Sequence, residues 1–215
     1  MTTPLPFPVK APQIAHMSDP FFFGYGSLVN TKTHDYPDVI PAQLNGWRRV
    51  WRHTKIRDVA YFSVEKAEDS TIDGLIARVP NSDWVALDER EFGYWREPVP
   101  PEALTFSSPV STDVQIYQTR TDQDAEPSVK HPIILSYLDV VVQGFLAQFG
   151  EDGVGRFFET TAGWEAPILN DRQAPIYPRH QSLTPFETGL VDAHLETLSA
   201  HVQDLHETDM GRERL

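Results

Sequence analysis

The run Phe21-Phe22-Phe23-Gly24-Tyr25-Gly26-Ser27 constrains this chain more than any other stretch. Three consecutive phenylalanines carry no polar alternation, so they predict a strand buried on both faces. A strand that passes at once into Gly-Tyr-Gly-Ser ends in a tight turn, where glycine permits close backbone approaches. Two nucleotide readings of that turn fail. A dinucleotide site needs Gly-x-Gly-x-x-Gly opening a helix, but the third glycine position here is Val29, followed by the aperiodic NTKTHDYPDVIP. A phosphate P-loop needs a Gly-Lys-Ser/Thr step, and the sequence has none. Two readings remain open. Either the turn offers backbone N–H groups and the Ser27 hydroxyl to a small anion or carbonyl oxygen, or its glycines serve backbone geometry alone.

The second informative stretch is ALDEREFGY, residues 86–94, inside NSDWVALDEREF (81–92), which has helix syntax. Asn81 or Ser82 can cap such a helix, and Asp83 falls in its first turn, where the helix dipole favours negative charge. At about 100° per residue with Trp84 at zero, Leu87 stands near about 300° and Glu91 near about 340°. Asp88 at about 40° lies at the edge of that stripe, and Glu89 at about 140° points away. Glu91 therefore falls on the apolar stripe. Desolvation there raises a carboxyl pKa towards the range of a proton shuttle. The plainer reading is that the helix stops before residue 91, or that Arg90, Arg96 or a strand N–H neutralises the acid.

Around these sites the organisation reads as α+β. RRVWRHT, VAYFSVE, GLIARV and YWREPV are strand-like, and KAEDSTID between the second and third has the composition of a hairpin turn. PIILSYLDVVVQGFLAQF carries apolar residues at 134, 138, 141, 145 and 149, a helical spacing, and a short helix follows around EDGVGRFFETT. Residues 163–182 are irregular, with three prolines. Within them Asp171, Arg172, Tyr177 and Arg179 suit either a lid over a site or a wrapping segment pinned by an Asp171–Arg172 or Arg179 ion pair. Thr184-Pro185-Phe186-Glu187 is a capping box opening a helix to about residue 206. The expected organisation is an extended arm over residues 1–20, a core over 21–149, and a loop with a C-terminal helix over 150–215 packed on the same domain.

Charge and composition exclude several function classes. A net charge of −13 disfavours general attraction to nucleic acid or anionic membrane, and no stretch approaches a membrane span. The basic run GWRRVWRHTKIR (46–57) suits a strand with a solvated cationic face. The absence of cysteine removes thiol catalysis, disulfides and Cys-ligated zinc. His194, His201 and His206 lack the i, i+4 pairing of a helical zinc site, so no metal is expected. Ser27 lacks the Gly-x-Ser-x-Gly elbow of a serine hydrolase. The first twenty residues hold five prolines and no apolar core of a signal peptide, and a cytoplasmic location is the expectation.

Taken in order, these motifs resemble the gamma-glutamylcyclotransferase superfamily, which includes the ChaC-type enzymes. Phe23-Gly24-Tyr25-Gly26-Ser27-Leu28 matches its opening strand and Tyr-Gly-Ser turn, and LNGWRRVW its Gly-aromatic-Arg strand. IDGLIARV matches a further strand, Leu87-Asp88-x-x-Glu91 the Leu-Asp-x-x-Glu motif, and Tyr137 with Gly144 a later helix. The resemblance covers roughly residues 21–149 and implies a mixed β-sheet or small barrel with flanking helices and a helical C-terminal extension.

That resemblance implies a γ-glutamyl small-molecule substrate, Glu91 as general acid/base, and Gly24, Tyr25, Gly26, Ser27, Leu28 and Tyr137 as substrate contacts, with no cofactor. Arg48 or Arg49 could offset a substrate carboxylate, though strand alternation turns only one of them inward. Tyr94 follows Glu91 by three residues, closer than the family's next tyrosine, which leaves its equivalence open. A non-catalytic binding protein of the same fold, and a transferase or amidase acting on γ-glutamyl amides, are the alternatives.

Overall fold

In the computed structural model, which describes residues 19–107, 113–125 and 130–204, the phenylalanine run forms β1 (Phe21–Gly24), buried along its whole length. It is buried because it is central: β1 pairs antiparallel with β3 (Tyr61–Arg78) on one side and parallel with β6 (Val114–Thr119) on the other. β2 (Ile40–Arg52), β4 (Tyr94–Pro98), β5 (Leu104–Phe106) and β8 (Thr161–Ala162) complete a seven-stranded mixed sheet. Its order is β4-β6-β1-β3-β2-β5, with β8 paired to β2. The arm proposed for residues 1–20 lies, up to residue 18, outside the described residues.

The turn expected within KAEDSTID does not reverse the chain. VAYFSVE and GLIARV belong to one strand, β3, and both halves pair with β2. The register runs from Asn45 opposite Thr71 to Trp47 opposite Lys66, so residues 67–70 bulge opposite Gly46 alone. Gly46 has φ +78°, the left-handed backbone such an irregularity favours. The reversal lies instead between β2 and β3.

The helix expected over 81–92 is shorter. Pro80–Ser82 is a single 3-10 turn with Asn81 and Ser82 at φ 57° and 54°, and α1 runs only from Val85 to Arg90. Asn81 and Ser82 cap nothing. Asp83 precedes the helix, and its Oδ1 accepts from Val85 N at 3.2 Å.

α2 (Leu135–Glu159) packs on the sheet and consists of two helical runs that meet at the non-helical Gly150 (φ 68°, ψ −171°), in line with the two helices read from the sequence. Phe145 and Phe157 from its two halves join Phe22, Phe23, Trp47 and Leu75 in one core. The irregular region also holds β9 (Ile168–Asn170), too short for its periodicity to be read, lying between β7 (Ile133–Ile134) and β10 (Val202–Asp204). The capping box is present: Thr184 Oγ1 accepts from Glu187 N, and Glu187 returns an acceptor to Thr184 N. It opens α3 (Pro185–Thr197), which ends nine residues earlier than the spacing predicts. Val191 and Leu195 carry α3 into the same core. Among the described residues no helix is long and apolar enough to cross a membrane.

Candidate functional site

The turn after β1 is compressed against α2. A β-carbon on Gly24 would lie 2.8 Å from the Leu28 Cβ, and one on Gly26 would lie 2.7 Å from the Tyr137 hydroxyl and 3.1 Å from the Phe62 ring. The turn closes through Val29 N to Gly26 O (2.9 Å) and Asn30 N to Ser27 O (3.2 Å). Tyr25 points into the core, where its hydroxyl donates to Tyr117 O at 2.6 Å. The spacing of Tyr137 and Gly144 follows from the same packing. Seven residues are almost two helical turns, so both face the turn. Tyr137 meets Gly26, while a β-carbon on Gly144 would lie 2.6 Å from Asn30 N. Asn30 then locks the contact by donating to Val140 O at 2.9 Å and Gln143 Oε1 at 3.0 Å.

Of the two candidate arginines only Arg49 turns inward, and it braces the turn from behind. Fully buried, it donates to Tyr25 O (3.2 Å), to Thr160 Oγ1 (2.9 Å) and to Asp73 O, and it lies 4.7 Å from the Phe145 ring centroid. Burial pulls its pKa down to about 9, which leaves it cationic at neutral pH. Arg48 pairs with Glu65 on the outer face. Neither lines the cleft described below.

Glu91 is the C-cap of α1 (φ −90°, ψ 35°), one position past the helix. Its N–H still donates to Leu87 O at 2.9 Å, and the fully buried Leu87 anchors that face, so the Glu91 side chain points inward although the helix has ended. The side chain keeps 16% exposure, opening onto the cleft. Burial pushes its pKa above the ordinary glutamate value, and the positive charges of Arg90 and Arg179 oppose that rise. Both expectations for this residue are therefore met at once: the acid is desolvated, and Arg90 partly compensates it. Arg90 Nε lies 3.3 Å from Glu91 Oε1, while its Nη atoms donate to Ser27 Oγ (3.3 Å), Thr33 O (2.9 Å) and Thr33 Oγ1 (3.0 Å). One side chain thus ties the acid to the glycine turn. Asp88, at the helix edge, accepts from the Tyr117 hydroxyl at 2.5 Å, and Glu89 is exposed.

These groups meet in a cleft of about 310 Å³. Its inner end is a pocket of about 20 Å³ walled by turn residues 24–28, Glu91, Tyr94 and Tyr137. Ser27, Phe62, Glu91, Tyr94 and Tyr137 line both, so cleft and pocket are continuous. Tyr94 donates to Phe62 O at 2.8 Å. Burial raises the pKa values of Tyr25, Tyr94 and Tyr137, so all three remain neutral phenols. Glu91, residues 24–28 and Tyr137 all border the pocket, whereas Arg48 and Arg49 do not, and the Tyr25 hydroxyl is spent on Tyr117 O.

The segment 163–182 reaches the cleft through Tyr177, Pro178 and Arg179. It is pinned, but not by an Asp171–Arg172 pair. The fully buried Asp171 accepts from Ser136 N (2.7 Å), Ser136 Oγ (2.5 Å) and Ile176 N (2.7 Å). Arg172 grips Asp139 with two nitrogens (2.7 and 2.8 Å) and Asp192 at 2.7 Å. The Tyr177 ring meets Tyr137 edge-on, 5.0 Å between centroids. Of the histidines raised as metal ligands, His194 stacks on Phe158 at 4.4 Å and His206 lies outside the described residues. The sequence names Arg90 only as a counter-charge to Glu91, and Arg179 only within a lid or wrapping segment; that Arg90 also binds Ser27 and that Arg179 lines the cleft come from the packing.

Comparison with known proteins bears on the fold. A solved gamma-glutamyl cyclotransferase superposes with a TM-score of 0.52 over 80% of this chain and 98% of its own, at 13% identity. The fold is that of a gamma-glutamyl cyclotransferase. YkqA from Bacillus subtilis also superposes, with a TM-score of 0.51 at 18% identity over 68% of this chain. The chain spans only 56% of the length of YkqA. No family model and no curated protein matches the sequence. At such identities the cyclotransferase likeness carries the fold, and the chemistry has to be argued from the residues in the cleft.

Proposed function

We propose that the protein is a γ-glutamyl cyclotransferase with Glu91 as general acid and base. The observation that carries this reading is a desolvated carboxyl whose side chain keeps 16% exposure and borders the same small pocket as turn residues 24–28. The γ-glutamyl head sits at that turn. With the α-amine in its neutral form, ionised Glu91 takes a proton from its nitrogen as that nitrogen bonds to the side-chain carbonyl carbon. A five-membered ring closes, the bond from that carbon to the leaving nitrogen breaks, and Glu91 returns the proton to the departing amine. The products are 5-oxoproline and a free amine, amino acid or peptide. The attack is intramolecular, so the protein's tasks are to hold one conformer and to stabilise the transient oxyanion with turn N–H groups. Gly24, Gly26, Ser27, Leu28 and Tyr137 surround the substrate head in this scheme, and Tyr25 acts through the backbone it holds in place.

The test is 5-oxoproline release, followed by mass spectrometry, from glutathione, γ-glutamyl-alanine and a γ-glutamyl amine, with Glu91→Gln in parallel. Release by the parent protein, absent in a folded Glu91→Gln variant, supports the mechanism. Turnover that survives the substitution removes Glu91 from it. Silence on all three substrates favours a γ-glutamyl-binding protein without this chemistry.

A further inference from the structure

The cleft is unusual for so acidic a chain. Against an overall charge of −13, its walls carry three arginines, Arg57, Arg90 and Arg179, and two glutamates, Glu89 and Glu91. Arg90 is committed to Ser27, Thr33 and Glu91. Arg179 differs: its charge bears on Glu91, but among the described residues no hydrogen bond or close ion pair engages its guanidinium, although its backbone carbonyl accepts from Gln181 at 3.2 Å. It is half-buried, with less water around it than a surface arginine has. Two contacts on its N-terminal side hold its position. Asp171 fixes the chain at Ile176 by a 2.7 Å bond, and the edge-on Tyr177–Tyr137 contact seats the next residue on the substrate side of α2. A half-buried cation in a pocket wall, its charge felt by Glu91 but its N–H donors making no hydrogen bond there, has donors open to an anion brought by a ligand.

We infer that Arg179, with the exposed Arg57 lining the same cleft, selects substrates whose leaving group carries a carboxylate. This rests on the γ-glutamyl reading of the turn. A γ-glutamyl head is a zwitterion, so the tail decides the ligand's net charge. An amino-acid or peptide tail presents a carboxylate beyond the scissile amide, where the cleft widens from the inner pocket towards Arg179. A neutral or cationic amine tail leaves the Arg179 donors unused, and the cleft favours the acid by the charge-assisted bond that only a carboxylate makes there. Trp51, Tyr61 and Phe92 supply apolar wall for the atoms between.

The experiment compares γ-glutamyl-alanine with γ-glutamyl-alaninamide, which differ only in the tail charge. The parent protein should favour the acid in kcat/KM by roughly tenfold, the scale of one charge-assisted hydrogen bond in a cleft open to water. Arg179→Gln should bring the ratio close to one, mainly through KM for the acid, and Arg179→Lys should restore part of it. Equal use of both substrates by the parent, or a preference that survives Arg179→Gln, overturns the role of Arg179 while 5-oxoproline formation leaves the cyclotransferase reading intact. Should neither substrate yield 5-oxoproline, the cyclotransferase reading fails, and calorimetric binding of the same two compounds decides the inference. A preference for the acid in Kd that Arg179→Gln abolishes upholds the carboxylate subsite, and no preference retires it.

Discussion

The hydroxyl oxygen of Tyr137 lies 2.7 Å from the point where a β-carbon on Gly26 would stand. This contact joins the glycine turn to α2, and it leaves no space for a methyl group. Gly26→Ala therefore has to move either the turn or the helix. The expected cost is about 1–3 kcal/mol, the range for overpacking a filled core, together with loss of activity. Tyr137→Phe removes the obstructing oxygen, so the double variant should lose less stability than the sum of the two single losses. Urea denaturation of the four proteins measures that coupling. Strict additivity would show that the turn and α2 do not press on one another.

Arg90 bears on the charge of Glu91. Its guanidinium opposes the rise that burial imposes on the Glu91 pKa. Removing the charge in Arg90→Gln should raise that pKa further. The base form of Glu91 then appears only at higher pH, so the acid limb of the kcat/KM profile moves upward. Arg90 also holds Ser27 and Thr33, so a fall in rate alone is uninformative. The position of the limb is the deciding quantity, and a limb that stays in place would separate Arg90 from the titration of Glu91.

Glu91 also carries a stability cost with a defined sign. Burial raises its folded-state pKa above the ordinary 4.5, so folding favours the protonated form. Stability from this group is fully present below the unfolded value and is lost as pH rises through the folded value. Glu91→Gln cannot ionise and escapes that loss. The variant should match the parent in acid and become the more stable of the two towards neutral pH, a trade of stability for function. Chemical denaturation of both proteins from pH 4 to pH 8 tests this, and a parent that gains on the variant with rising pH contradicts it.

The parts of the site that were legible in sequence are those set by local chemistry. Phe21, Phe22 and Phe23 lack alternation because β1 has neighbours on both sides, and Gly26 and Gly144 stand where backbone and α2 approach too closely for a side chain. Glu91 was placed on the correct face by a helix that turns out to end one residue before it, because the Leu87 carbonyl still holds its N–H. KAEDSTID misled because a bulge and a turn draw on the same polar residues; pairing with β2, which composition does not encode, decides between them. Strands of two or three residues such as β7 and β9 are too short to show a period. The reach of Arg179 into the cleft depends on Asp171 bonding Ser136, 35 residues away in sequence, and no local pattern announces it.

That long-range pin gives the last prediction. Asp171 has no exposed surface and satisfies three donors, Ser136 N, Ser136 Oγ and Ile176 N. Asp171→Ala strands the two backbone donors in a dry environment and should cost about 3 kcal/mol. Asp171→Asn keeps the shape but turns an amide donor towards at least one of them, so it should be milder without being neutral. Both variants release the segment that carries Tyr177 and Arg179, whereas Glu91, Arg90 and turn residues 24–28 are held by other contacts. If the segment serves the substrate tail, KM for γ-glutamyl-alanine should rise more than kcat falls in whatever fraction remains folded. Thermal unfolding alongside steady-state kinetics on Asp171→Asn separates the two effects. A large drop in Tm with KM unmoved would mean that Asp171 supports the fold and that the cleft takes its shape without the segment.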